Sequence, residues 1–201
     1  MDEARKRELL FSLNDALCRE RSACSPLAED ASTEELWSLF RALVNTREPG
    51  PESLGAPAEF LADQDELLRG LIAERGIATL DETLVSPLDA RMRLWRGDIT
   101  ALAVDAIVNA ANAQMLGCWV PGHHCIDNAI HTFAGVQLRA ECAAIMRAQG
   151  HEEPTGQAKV TSAYNLPAKR VIHTVGPIAN GRPTPHHGTL LASCYRSCLD
   201  A

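Results

Sequence analysis

Leu9, Leu10, Leu13, Ala16 and Leu17 fall at the spacing that gives a helix one apolar stripe. Ser32 and Glu35 stand three apart as a capping box, and the apolar stripe behind them runs through Leu36, Trp37, Phe40, Leu43 and Val44. The Pro- and Gly-rich stretch from Glu48 to Pro57 breaks the pattern. It returns over Ala58 to Arg75, where Phe60, Leu61, Leu67, Leu68, Leu71 and Ile72 form one face and Gly76 stands in the capping position. Residues 1–88 therefore read as a helical extension whose amphipathic faces pack against the rest of the chain.

After Pro87 the period changes. Met92 to Trp95 and Ala103 to Val108 read as strands, then a helix from about Asp127 to Gln149. Ala158 to Ala163 and Arg170 to Val175 read as two more strands, and His187 to Leu199 as a closing helix. Strands alternating with helices predict an α/β domain over 89–201 with helices on both faces of the sheet.

Aromatic residues are only 4% of the 201, so the core must be built from Leu, Val, Ile and Ala. The net charge of −7 argues against non-specific binding to nucleic acid or an anionic membrane. No apolar run approaches the roughly 20 residues of a membrane span, and the N-terminus lacks a signal-peptide core. Seven cysteines, an odd number in no regular framework, point to a reducing cytoplasm with thiols free or metal-bound. Cys18, Cys24, Cys142, Cys194 and Cys198 read as small buried apolar residues.

Three clusters carry chemistry. The segment Cys118 to His131 reads C-W-V-P-G-H-H-C-I-D-N-A-I-H. Thiolate and imidazole are the ligands zinc prefers, and Cys118 and Cys125 with His123 or His124 make a three-ligand set with one position open. The spacing is not that of a common zinc finger, so a loop with incidental Cys and His is the competing reading. Pro121-Gly122 supplies a turn that folds Cys118 back on the other two. Asp127 fits either a helix N-cap or a group that deprotonates water beside a metal, and His131 fits a packed helix residue. Asp98 and Ile99 follow the first strand, where Asp98 serves as a turn residue or as a ligand group. Asn109 and Asn112 follow the second strand, as turn formers or as amides for a polar ligand.

Leu94-Trp95-Arg96-Gly97-Asp98-Ile99-Thr100, followed by Val104 to Asn112, resembles the opening of a macrodomain. Asp127-Asn128-Ala129-Ile130-His131, Ala134-Gly135, Thr155-Gly156-Gln157-Ala158 and Val171-Ile172-His173-Thr174-Val175-Gly176-Pro177 extend the likeness over residues 90–201. The resemblance implies a three-layer macrodomain-like sandwich. The Cys118–Cys125 insertion and the helical extension resemble the zinc-dependent branch, hydrolases that remove mono-ADP-ribose from proteins and that in bacteria accompany a sirtuin modifying a lipoyl-carrier protein.

On that resemblance Asp98 accepts the adenine amino group with the Ile99 amide beside it. Asn109 and Asn112 lie at the substrate, with Asn112 at the distal ribose. Cys118, His123 and Cys125 hold Zn2+, and Asp127 binds the ribose or activates water. The partners implied are ADP-ribose and an ADP-ribosylated protein, a lipoyl-carrier protein being the first to test. The alternatives are a non-catalytic ADP-ribose reader and an inactive fragment. The latter arises because the family continues past this point with a strand, a Gly-rich phosphate loop, a helix and a final strand. The resemblance thus predicts a chain lacking the last family strands, with unpaired sheet edges.

Overall fold

The computed structural model describes residues 1–21, 28, 30–50 and 55–201. Three helices come first: α1 (Glu3–Arg19), α2 (Thr33–Asn45) and α3 (Ala58–Arg75). The α1 stripe is buried at Leu9, Leu10, Leu13 and Leu17, each burial worth about 1.5–3 kcal/mol. Ser32 caps α2 with the expected box: its side chain accepts from the Glu35 amide, and the Glu35 carboxylate accepts from the Ser32 amide at 2.8 Å. Gly76, at φ 83°, ends α3.

A short antiparallel ribbon of β1 (Leu84–Val85) and β2 (Arg93–Leu94) precedes the main sheet. The expected first strand is thus only two residues long and pairs outside that sheet. Leu84 and Leu94 are 70% and 68% exposed, so no core face holds the segment against the rest of the domain.

The main sheet consists of β3 (Ala106–Ala111), β4 (Ala158–Ser162) and β5 (Arg170–Val175) in the order β3-β5-β4. β3 runs parallel to β5 and β4 antiparallel to it. The register sets Asn109 beside His173 and Thr161 beside Val171 on one face. That face is covered by α4 (Ile126–Ala134) and α5 (Val136–Gln149). On the other face α6 (Pro185–Asp200) packs on β5 and β4, with Cys198 at the Thr174 hydroxyl.

The helix expected to run unbroken from Asp127 to Gln149 is split at Gly135, φ 98°. The Gln64 and Gln137 side chains lie 2.5 Å from where a β-carbon at Gly135 would sit. Gln64 Oε1 accepts from the Val136 amide at 3.0 Å, so a residue of α3 supplies the missing cap at the start of α5.

One hydrophobic cluster contains Leu9, Phe40 and Leu68 of the extension together with Ile107, Ile130, Leu138 and Val171. The two segments therefore share a core. Cys142 and Cys194 are buried and Cys198 partly so, as read from the sequence. Cys18, on the last turn of α1, is instead disulfide-bonded, which corrects the reading of it as a thiol, and Cys24 lies outside the described residues. Among the described residues no helix is long and apolar enough to cross a membrane.

Candidate active site

The site is assembled at the carboxyl end of β3 and the start of α4. Between them the chain makes two turns. Asn112 Nδ2 donates to the Gly117 carbonyl at 2.9 Å and holds the first turn against the strand end. Gly117 has φ 79°, and a β-carbon there would lie 2.8 Å from the His131 ring, so only glycine permits this approach. The second turn, Val120-Pro121-Gly122-His123, closes with the His123 amide on the Val120 carbonyl at 3.2 Å. Proline in the second position and glycine at φ 63° in the third are what a type II turn requires.

This turn returns His123 toward Cys118, with Cys118 Sγ 3.4 Å from His123 Nδ1. The donor atoms of Cys118, His123 and Cys125 all lie within 4.8 Å of one another. A tetrahedral zinc with ordinary bond lengths separates its sulfur and nitrogen ligands by about 3.5 Å. The group fits zinc in chemistry and in spacing, with His123 rather than His124 as its imidazole. Cys125 is also the N-cap of α4, its sulfur accepting from the Asn128 amide at 3.4 Å. Asp127 is therefore not the cap.

Asp127 sits in the first turn of α4, 6% exposed. Its Oδ1 accepts from Asn109 Nδ2 at 2.8 Å and lies 3.6 Å from His131 Nε2. Burial raises its pKa above the ordinary aspartate range, while the Asn109 hydrogen bond and the Arg139 charge pull it down. Asn109 is fully buried, and its Nδ2 also donates to His173 Nδ1 at 3.1 Å. An amide nitrogen only donates, so His173 Nδ1 accepts and its proton is on Nε2, which donates to Thr161 Oγ1 at 3.0 Å. His173 is thus neutral, and burial lowers its pKa to about 4. Asn109 and His173 form a support beneath Asp127 rather than part of an open surface.

His131, Cys142 and His173 also bring their donor atoms within 4.8 Å of one another. There the Cys142 thiol is held protonated by burial and His173 Nε2 is engaged by Thr161, while both ring nitrogens of His131 are buried without a hydrogen-bond partner. His131 is buried as a packed helix residue, its ring 5.9 Å from that of His173.

Asp98 lies apart from the main sheet, as N-cap of a single 3-10 turn, Ile99–Ala101. Its Oδ1 accepts from the Thr100 amide at 2.9 Å and the Thr100 hydroxyl at 2.7 Å. Its Oδ2 accepts from Arg75 Nη1 at 3.2 Å at the surface. Of the two roles read from the sequence, turn residue and ligand group, the first is seen at Oδ1, and Oδ2 lies at the surface. Ile99 packs against the core, and the turn it opens packs on α3 and α4.

Residues 108–201 match the Macro domain family. Over 199 residues the chain is 49% identical to a protein-ADP-ribose hydrolase of Treponema medium, covering 97% of this chain and 74% of that protein. The chain belongs to the macrodomain family. It is also 45% identical over 199 residues to a protein-ADP-ribose hydrolase of Staphylococcus aureus strain MSSA476, covering 98% of this macrodomain and 72% of the relative. The crystal structure of the Trypanosoma brucei macrodomain in complex with ADP is 31% identical with a TM-score of 0.51, covering 81% of this chain and 67% of that one.

Four residues of this macrodomain that bear on the site escaped the sequence reading as functional: Arg41, Asn45, Arg139 and His173. A signal existed for two of them. A histidine inside the apolar strand Arg170–Val175, and an arginine on the buried stripe of α5, each need a partner that local periodicity does not supply.

Proposed function

We propose that this macrodomain is a hydrolase that releases mono-ADP-ribose from modified proteins, and that Cys118, His123 and Cys125 hold a zinc ion at its site. The observation that carries the reading is the placement of Asp127, a buried carboxylate fixed by Asn109 two residues beyond Cys125. The protein-ADP-ribose hydrolases of Treponema and Staphylococcus support the reaction, and the ADP complex of the Trypanosoma macrodomain supports the ligand class.

Cys118, His123 and Cys125 would hold the zinc, which would supply Lewis-acid polarisation of an oxygen of substrate or water. Asp127 accepts a proton or a hydrogen bond from water or from a hydroxyl of the distal ribose. Asn112, whose Oδ1 is buried and unpartnered, accepts from a neighbouring hydroxyl. Asn109 orients Asp127. Asp98 accepts the adenine amino group through Oδ2, the oxygen Thr100 does not use, with the Ile99 amide beside it. The modified partner we propose is a lipoyl-carrier protein.

The test is release of ADP-ribose from a mono-ADP-ribosylated carrier protein, followed by mass spectrometry with zinc content measured in parallel. The parent releases ADP-ribose, a chelator stops it and zinc restores it. Asp127→Asn slows it by about 100-fold or more. Undiminished release by a Cys125→Ser variant verified to be metal-free rejects the zinc. Tight ADP-ribose binding without release by zinc-loaded parent makes the protein a reader.

A further inference from the structure

The Cys118–Cys125 loop is not held by the α/β domain alone. Gly122 N–H donates to Asn45 Oδ1 at 3.2 Å, and Asn45 lies on α2, 77 residues away. Asn45 is 1% exposed, and its Nδ2 donates to Thr132 Oγ1 of α4 at 3.0 Å. One turn earlier on α2, Arg41 Nη2 donates to the His123 carbonyl at 3.4 Å and to Asn128 Oδ1 at 3.2 Å. Asn128 in turn donates through Nδ2 to the Val120 carbonyl at 3.2 Å. Both ends of the Pro121-Gly122 turn, and the backbone of the histidine it presents, are therefore tied to α2 directly or through one buried asparagine.

A second arm reaches the residue after Cys118. The Arg139 guanidinium lies 4.3 Å from the centroid of the Trp119 ring. The same group donates to the carbonyls of Val44 at 3.2 Å and Arg47 at 2.7 Å, at the carboxyl end of α2. Opening the loop would leave Asn45 Oδ1 buried and without a donor, a state folded proteins avoid. The closed loop is thus the one in which the α2 polar groups are satisfied.

We propose that α2 of the N-terminal extension is part of the active site, with Arg41 and Asn45 as positioning residues that fix the geometry of the Cys118, His123, Cys125 set. The effect on metal rests on the proposed zinc site; the effect on the loop does not.

The experiment compares Asn45→Ala and Arg41→Ala with Asn45→Asp, which keeps the acceptor for Gly122. Asn14→Ala serves as the control, since Asn14 is a buried asparagine of the extension that bonds the Leu36 carbonyl at 2.8 Å. Two quantities are read on the full chain. One is hydrogen exchange at the Gly122 amide in metal-free protein. The other is the Co2+ ligand-field spectrum and the rate of Co2+ release to a chelator. Asn45→Ala and Arg41→Ala speed Gly122 exchange and Co2+ release by about ten-fold, the scale of one lost hydrogen bond, and shift the Co2+ bands. Asn45→Asp, which keeps the Gly122 acceptor but loses the Nδ2 donor to Thr132, stays near the parent in Gly122 exchange, and Asn14→Ala lowers thermal stability without moving either quantity. Parent-like Gly122 exchange in both alanine variants overturns the proposal, as does an equal change in Asn14→Ala. A parent chain that binds no Co2+ rejects the zinc reading, and the exchange measurement alone then decides the role of α2.

Discussion

His173 ties folding to pH in a direction the structure fixes. Its ring is enclosed by Asn109 on β3, Thr161 on β4, and His131 and Cys142 on the covering helices, and Asp127 joins the same web through Asn109. Nδ1 accepts and Nε2 donates, so protonation would set the new N–H against the Asn109 amide. The folded pKa is lowered to about 4 by burial, whereas an unfolded histidine titrates near 6.5. The stabilising difference is fully present above about pH 6.5 and is lost as pH falls toward 4, because only the unfolded chain then takes up the proton. Between pH 7.5 and pH 5 this amounts to about 2 kcal/mol for this one group.

The assay is urea denaturation at both pH values in the presence of a chelator, so that proton release on metal binding plays no part. His173→Gln keeps a polar side chain for Asn109 and Thr161 but does not titrate. Its loss of stability on acidification is smaller than the parent's by about 2 kcal/mol, with His131 and the carboxylates common to both proteins. Identical losses in parent and variant refute the claim that His173 is buried neutral.

Gly117→Ala forces a side chain into left-handed backbone and against the His131 ring 2.8 Å away, so it destabilises the fold by about 1–3 kcal/mol in thermal or urea unfolding. An unchanged midpoint refutes the close approach. Asp98→Ala removes the cap on the Ile99–Ala101 turn, costing about 1 kcal/mol of stability, and weakens ADP-ribose binding by about ten-fold in calorimetry. Unchanged affinity refutes the adenine role for Asp98.

Elements whose signal is local were legible in the sequence. The α3 boundaries Ala58 and Arg75 follow from an apolar stripe closed by Gly76, and the Ser32–Glu35 box starts α2 as read. β5 was bounded correctly because Val171, Ile172, Thr174 and Val175 form a β-branched run. What local pattern could not show were features made by partners far away in sequence. Gly135 breaks the helix because Gln64 supplies a cap from α3, 72 residues distant. Met92 to Trp95 has the composition of a strand yet pairs only with Leu84–Val85, since composition does not name a partner. At the site the clustering of Cys118 and Cys125 with His123 or His124 was readable from residue type and a turn, and the family resemblance singled out His123. The anchoring of that set by Arg41 and Asn45 was not readable, because on their own helix both look like ordinary surface residues of α2.

The change of texture near residue 88 marks where the pattern of the sequence changes, but packing does not divide there. Asn45, Arg139, Asn128, Thr132, Asn109 and His173 are all buried polar groups, and the first four bridge the extension and the α/β domain. Apolar side chains of similar volume would supply comparable or greater stability without the need for matched partners. What a largely partnered polar web provides instead is one defined arrangement, since a shifted loop or helix orphans a further buried donor or acceptor at a cost of about 1–3 kcal/mol each. Asp127 and the Cys118–Cys125 loop stand where that web meets solvent. With α2 in the role proposed above, the extension forms the wall against which the loop is shaped.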